Sequence, residues 1–167
     1  MPSTPAPKKD VTFTLNTNCG QIVFTGFGSK ATTTITVMSA LAKAGYFNQS
    51  LCHRLTTSGI YVLQCGDPTA TGTGGPGFSY PDENLPASGA NNYPAGTIAM
   101  ANSGPNTNGS QFFIVYKDTT LAPSYTIWGK ITKGLAIVQK LAAIGVAGGG
   151  QDGKPKQTIA IQSVTVR

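Results

Sequence analysis

TIAMANSGPNTNGSQFFIVY, residues 97–116, reads as two apolar strands, 97–101 and 111–116, joined by a loop of Gly, Pro, Asn and Ser. Period-2 alternation with β-branched and aromatic residues marks the strands, and the loop holds the strongest turn formers. The polar residues beside the strands are the unusual part. Asn102 ends the first, Gln111 begins the second, and Phe112 and Phe113 follow at once. Amides set next to aromatics make a surface that holds an apolar ring while hydrogen-bonding a peptide backbone.

Outward from this pair, the same alternation predicts strands at 11–15, 21–25, 52–56, 60–65, 126–132 and 158–166. Gly129 inside one of them predicts a bulge or a close backbone approach. A helix is expected over 32–44: the stretch is rich in Thr, yet Ile35, Met38 and Leu41 fall at helical spacing and Gly45 stands where a C-cap would. Leu135, Val138, Leu141 and Ile144, bracketed by Gly134 and Gly145, mark a second helix. Eight antiparallel strands close into a small barrel filled by side chains and free of exposed edges. The expected fold is therefore mainly β, a closed eight-stranded antiparallel β-barrel capped by two α-helices. Residues 1–10, MPSTPAPKKD, carry three prolines and no apolar period, so they read as a disordered Pro/Lys-rich linker before one domain at 11–167. Residues 66–96 form a long Gly/Pro-rich connection, of a length that usually has a function.

The 167 residues suffice for one domain with a real core. The net charge of +6 comes from ten Lys and two Arg, Arg54 and Arg167, against six acids. The lysines are scattered, which argues against the clustered basic stripe of a nucleic-acid site. No run approaches the ~20 apolar residues of a membrane span, and the first residues lack the apolar core of a signal peptide. The chain as given is expected to be soluble.

Several chemistries lack parts. Cys19, Cys52 and Cys65 form no CxxC pair, and although His53 completes a Cys₃His set on paper, Cys52 and His53 as strand neighbours point to opposite faces, against zinc. GTGGPG at 72–77 satisfies GxGxxG, but Pro76 and Pro81 leave no room for the helix a dinucleotide site requires. His53 is the single histidine and no nucleophile elbow accompanies it. Asp82–Glu83, in the long loop, reads as a solvated turn. What remains is Arg54 on a strand, Gln64 and Gln111 at strand ends, Asn102, and the interleaved Tyr61, Phe113, Leu121 and Tyr125.

Taken together, CHRL at 52–55, LQCGDPTATGTGGPGFSYPDE at 63–83, MANSGPNTNGSQFFIVY at 100–116 and YTIWGKI at 125–131 resemble a cyclophilin-type peptidyl-prolyl cis/trans isomerase. The likeness extends over about 11–166 and is strongest to bacterial members of actinobacterial type. It implies that Arg54 is catalytic, that Tyr61, Val62, Gln64, Phe113 and Leu121 line a proline pocket, and that Ala101 and Asn102 hold the substrate backbone. Gln111 would reach across the groove and Tyr125 would close one side. It implies no cofactor, proline-containing peptides and folding proteins as partners, and a monomer. Two alternatives use other chemistry: a proline-peptide binding module in which the same groove needs no catalysis, and an adhesion or sugar-binding barrel suggested only by composition.

The chain departs from the best-known eukaryotic pattern. LTTSGIYVL between Arg54 and Gln64 is two residues longer, Tyr61 replaces a Phe, Thr120 stands where Trp is common and Tyr125 replaces a His. Loss of the Trp implies weak binding of cyclosporin, the family's cyclic-peptide inhibitor. Counting alternation from Arg54 puts Cys52 on its face, while counting from Gln64 puts Cys65 on the opposite one, which argues against a Cys52–Cys65 disulfide if Arg54 and Gln64 share a face. The Pro/Ser/Thr linker and low charge resemble an extracytoplasmic domain attached to a membrane anchor.

Overall fold

The computed structural model describes residues 1–2 and 8–167. Half of the expected linker, 3–7, lies outside the described residues, and its last member, Asp10, accepts a hydrogen bond from the Gly28 amide at 3.0 Å.

Among the described residues the strands are β1 (Val11–Thr17), β2 (Gly20–Gly26), β3 (Ser50–Leu51), β4 (Arg54–Thr56), β5 (Val62–Cys65), β6 (Thr97–Met100), β7 (Phe112–Val115), β8 (Ile127–Lys133), β9 (Asp152–Gly153) and β10 (Ala160–Val166). They form one antiparallel sheet in the order β3-β10-β1-β2-β8-β6-β7-β5-β4-β9. The mainly β fold with two helices is as expected, and only the detail of eight strands in a closed barrel is corrected: the described residues form ten strands in one curled sheet. Of the strand expected at 52–56 only β4 forms, pairing with β5 near one end of the sheet; the short β3 just before it pairs with β10 at the other end, and Cys52 and His53 lie between them. Tilted barrel strands are staggered, so one segment meets its two neighbours at different points along its length. The curled sheet is thus joined end to end by the chain through Cys52 and His53, and β9 is a short addition outside β4.

Alternation places Phe13, Leu15, Ile22 and Phe24 inside, with Phe13 opposite Phe24 in the ladder. Their rings stack 5.0 Å apart, and Trp128 stands edge-on to both. Gly129, next to Trp128, is required by close approach: a Cβ there would meet the Thr25 carbonyl oxygen at 2.9 Å.

The helices are α1 (Thr32–Lys43) and α2 (Leu135–Ile144). Burial of Ile35 and Met38 against the barrel core outweighs the weak helix propensity of the Thr run in α1. Its N-terminal turn has no local side-chain cap; the Glu83 carboxylate accepts from the amides of Thr33 and Thr34, both at 2.9 Å, filling the anion-favouring position at the helix start. Asp82 binds the Asn106 amide and the Asn108 side chain, both at 2.9 Å. Asp82–Glu83 is therefore a tie between the long loop, α1 and the 102–110 loop, and the solvated-turn reading is corrected. Within α2, Val138 and Leu141 are buried, whereas Ile144 at the helix end is exposed.

Candidate active site

The register places Arg54 opposite Gln64, Gln64 opposite Phe113, and Phe113 opposite Ala99. These four residues form one row across β4, β5, β7 and β6, on the outer face of the sheet. The Phe112–Phe113 pair divides between the faces: Phe112 joins the interior with Phe47 and Trp128, while Phe113 belongs to a separate apolar cluster with Val62, Tyr93, Ala99 and Val115. The 117–126 loop folds over that cluster. Asn92 holds it by bonds to the Leu121 amide and carbonyl at 3.0 and 2.8 Å, and the buried Tyr93 hydroxyl accepts from the Tyr125 amide and donates to its carbonyl, both at 3.0 Å. Burial pushes the Tyr93 phenol up to about 12, so it remains a donor throughout the working range.

Between loop and sheet lies a pocket of about 140 Å³ lined by Arg54, Ile60, Val62, Gln64, Ala101, Asn102, Phe113, Leu121 and Tyr125. Phe113 lies at its base with the Tyr125 ring edge-on at 5.5 Å. A groove of about 450 Å³ adjoins it, sharing Gln64, Ala101 and Asn102 and walled by the 72–79 turn and Gln111.

Hydrogen bonds run along this surface. Arg54 Nη1 donates to Gln64 Oε1 at 3.4 Å, Gln64 Nε2 to Gln111 Oε1 at 2.8 Å, and Gln111 Nε2 to the carbonyls of Gly72 and Gly74, both at 2.9 Å. Gln111 thus braces the 72–74 turn. Asn102 Nδ2 donates to the Ser124 carbonyl at 2.8 Å and its Oδ1 accepts from the Gly104 amide, so the side chain ties the loops together. Among the described residues its backbone N–H and C=O have no intramolecular partner, and Asn102 lines the groove.

On its other edge Arg54 is paired with Asp152, Nε to Oδ1 at 2.8 Å and Nη2 to Oδ2 at 2.7 Å. The bond holds the Asp152 carboxyl below the usual carboxylate range and raises the guanidinium further above its own. Asp67, also unanticipated, is fully buried at the root of the 69–74 turn. Burial pushes its carboxyl up, but bonds from the Thr69 hydroxyl and the amides of Gly74, Thr69 and Gly72 together outweigh it and hold the group well below the usual range. Gly74 answers to this carboxylate: a Cβ would collide with Asp67 Oδ1. The glycines of GTGGPG therefore serve a carboxylate-centred turn. His53 packs beside Gly72 with neither ring nitrogen hydrogen-bonded, and burial lowers its pKa.

Two expectations are corrected. Tyr61 is absent from the proline-sized pocket. Its ring lies under Lys117 Nζ at 4.4 Å, in a different depression with Tyr116, and Ile60 occupies the expected place. Residues 60, 62 and 64 share a face and 61 does not; period 2, followed back from Gln64, reaches Ile60. If the pocket serves turnover of a proline peptide, Tyr61→Ala is expected to change kcat/KM less than about 2-fold, and Ile60→Ala to lower it about 10-fold or more, the scale of a lost apolar pocket contact. Steady-state kinetics on the two variants checks this.

The second concerns the cysteines. Cys52 and Cys65 form a disulfide with Cα atoms 4.0 Å apart, and Cys19 is free. Arg54 and Gln64 do share a face, but alternation does not extend back from Arg54, because Cys52 and His53 lie between β3 and β4. There the chain turns Cys52 inward, and both sulfurs join the core. With two thiols consumed, the paper zinc set does not assemble.

A family model described as cyclophilin type peptidyl-prolyl cis-trans isomerase/CLD matches residues 12–166. The chain belongs to this family. It is 45% identical over 171 residues to the probable peptidyl-prolyl cis-trans isomerase B of Mycobacterium tuberculosis, covering 96% of this chain and 56% of that protein. The Mycobacterium leprae counterpart is also 45% identical, with 96% and 58% covered. The chain thus spans little more than half the length of these mycobacterial relatives. The crystal structure of a Cryptosporidium parvum cyclophilin type peptidyl-prolyl cis-trans isomerase is similar with TM-score 0.82 at 31% identity, covering 95% of this chain and 98% of that one. A structure of the same protein in the presence of the dipeptide Ala-Pro gives 0.80, with 93% and 98% covered.

Proposed function

We propose that this cyclophilin-type domain is a peptidyl-prolyl cis/trans isomerase acting on X–Pro bonds in peptides and folding proteins, with Arg54 stabilising the twisted amide. The observation that carries the reading is the Arg54–Gln64–Phe113 row, which sets a guanidinium beside an apolar pocket of proline size. Crystallisation of the Cryptosporidium relative in the presence of Ala-Pro supports a proline-containing ligand.

Rotation about an amide meets a barrier of ~18–20 kcal/mol because resonance is lost as the bond twists. The proline nitrogen then regains a lone pair and accepts a hydrogen bond, which the planar amide cannot do. An N–H of Arg54 aimed at that nitrogen binds the twisted state better than either planar one, which is the condition for catalysis. Phe113, Ile60, Val62 and Leu121 would fix the ring, and the free backbone groups of Asn102 would hold the peptide. An acceleration of ~10⁵ asks for only about 7 kcal/mol. No covalent step is needed.

A protease-coupled assay on a short X–Pro peptide tests the reading. Acceleration over the uncatalysed rate is expected; binding of the peptide without acceleration would leave the groove as a recognition module. Thr120, exposed where Trp is common in the family, offers little surface to a cyclic peptide, so cyclosporin inhibition is expected to be weak with turnover retained. High-affinity inhibition in a titration would contradict this.

We also propose an oxidising, extracytoplasmic compartment. The Cys52–Cys65 disulfide supports it, because such bonds persist where thiols are not kept reduced. Thiol counting on protein purified from its own cells under alkylating conditions tests it: one free thiol is expected, and three would refute it.

A further inference from the structure

The stretch AGGGQDGKP, 147–155, looks like a surface turn, but the fold pins it to the site. β9 pairs with β4, Thr56 opposite Asp152 and Leu55 opposite Gly153, and the Thr57 amide donates to the Gln151 carbonyl at 2.9 Å. Behind β9 the Ala147 amide binds the Lys154 carbonyl at 2.8 Å and the Lys156 amide the Gly145 carbonyl at 2.9 Å. The backbone carrying Asp152 is thus held from both sides. Because Arg54 and Thr56 lie on one face of β4, Asp152 is a diagonal same-face neighbour of Arg54, within reach of a long side chain.

We infer that Asp152 is the positioning residue of Arg54, clamping the Nε/Nη2 edge of the guanidinium so that its Nη1 side is presented to Gln64 and the proline pocket. The inference rests on the role proposed for Arg54. Asp152 does not line the pocket, whereas Arg54 does, so the carboxylate stands behind the guanidinium as seen from substrate. The fork geometry matters: two parallel N–H···O bonds fix the guanidinium plane, which a single bond does not. Gln64 alone, at 3.4 Å from Nη1, is a long and weak guide. Without Asp152 the arginine would sample many rotamers, and each turnover would have to order it at the moment the amide twists. That loss falls on kcat, because the planar substrate makes no use of the aimed N–H.

The test compares wild type, Arg54→Ala, Asp152→Ala, Asp152→Asn and Asp152→Glu in the coupled assay, with the ¹⁵N resonance of Arg54 Nε followed by NMR in the arginine-containing variants. Asp152→Ala is expected to lower kcat roughly 10-fold, equivalent to about 1.4 kcal/mol, with KM within about 2-fold. Asp152→Asn should fall between it and wild type, and Asp152→Glu should recover most of the turnover. The Nε resonance should shift and its proton exchange faster with water in Asp152→Ala. The pair is half exposed at 41% and 55%, so these variants should remain folded. If Arg54→Ala loses turnover while Asp152→Ala keeps that of wild type, or changes only KM, the inference is overturned and the Arg54 reading stands. If wild type itself shows no isomerisation, the reading beneath it falls as well.

Discussion

Arg54→Ala is expected to lower kcat for an X–Pro peptide by about 10²- to 10³-fold, the scale of removing one donor aimed at transition-state charge, while KM changes by less than about 3-fold. In the proposed mechanism the guanidinium acts on the twisted nitrogen, while Phe113, Val62 and the Asn102 backbone would supply the surface that planar and twisted peptides share. Arg54→Lys should recover only a small part, since a point charge reproduces neither the Gln64 bond nor the two-point attachment to Asp152. Because the ion pair is exposed, its loss should alter stability by less than about 1 kcal/mol, so the kinetics can be read without a folding correction. Coupled-assay kinetics with calorimetric peptide binding decides it: retained kcat with weakened binding would take the catalytic role away from Arg54.

Reducing the Cys52–Cys65 disulfide is expected to destabilise the domain by about 2–3 kcal/mol, on the chain-entropy scale of ~3 kcal/mol for a 15-residue loop; the two cysteines are 13 positions apart. For a domain of this size that corresponds to a fall in melting temperature of roughly 4–12 °C. The bridge joins the residue two before Arg54 to the residue after Gln64, yet β4 and β5 remain paired by their own ladder. Turnover at low temperature should therefore drop much less than stability. Calorimetric melting with and without reductant, run beside the Cys52→Ala/Cys65→Ala double variant, isolates the bond: wild type should shift and the double variant should not. An unchanged melting temperature on full reduction would show that the bridge contributes no stability.

The two effects separate because the site and the core occupy opposite faces of the same strands. Cys65 and Leu63 point inward while Gln64 and Val62 point outward, so a change on one face reaches the other only through the backbone. Phe112 and Phe113 divide in the same way.

Much of this was legible in the residues alone. The hairpin-like stretch 97–116 announced its strands, its amides and its aromatic pair, and alternation suffices to send Phe112 and Phe113 to opposite sides. Helical spacing in 32–44 foretold α1 against its Thr content, and Gly129 marked a close approach. These are local signals, carried by neighbours a few positions apart. Tertiary structure decided the rest. The break at Cys52–His53 arises because that segment meets β10 and β5 at staggered points, and it reverses the inference drawn from alternation about the disulfide. The cap of α1 by Glu83 and the clamp of Arg54 by Asp152 depend on bonds between distant parts of the chain. Alternation is a property of an uninterrupted strand, and a carboxylate in a glycine-rich turn has no partner until the fold brings one; for that reason Arg54 could be read from the sequence, and what holds it could not.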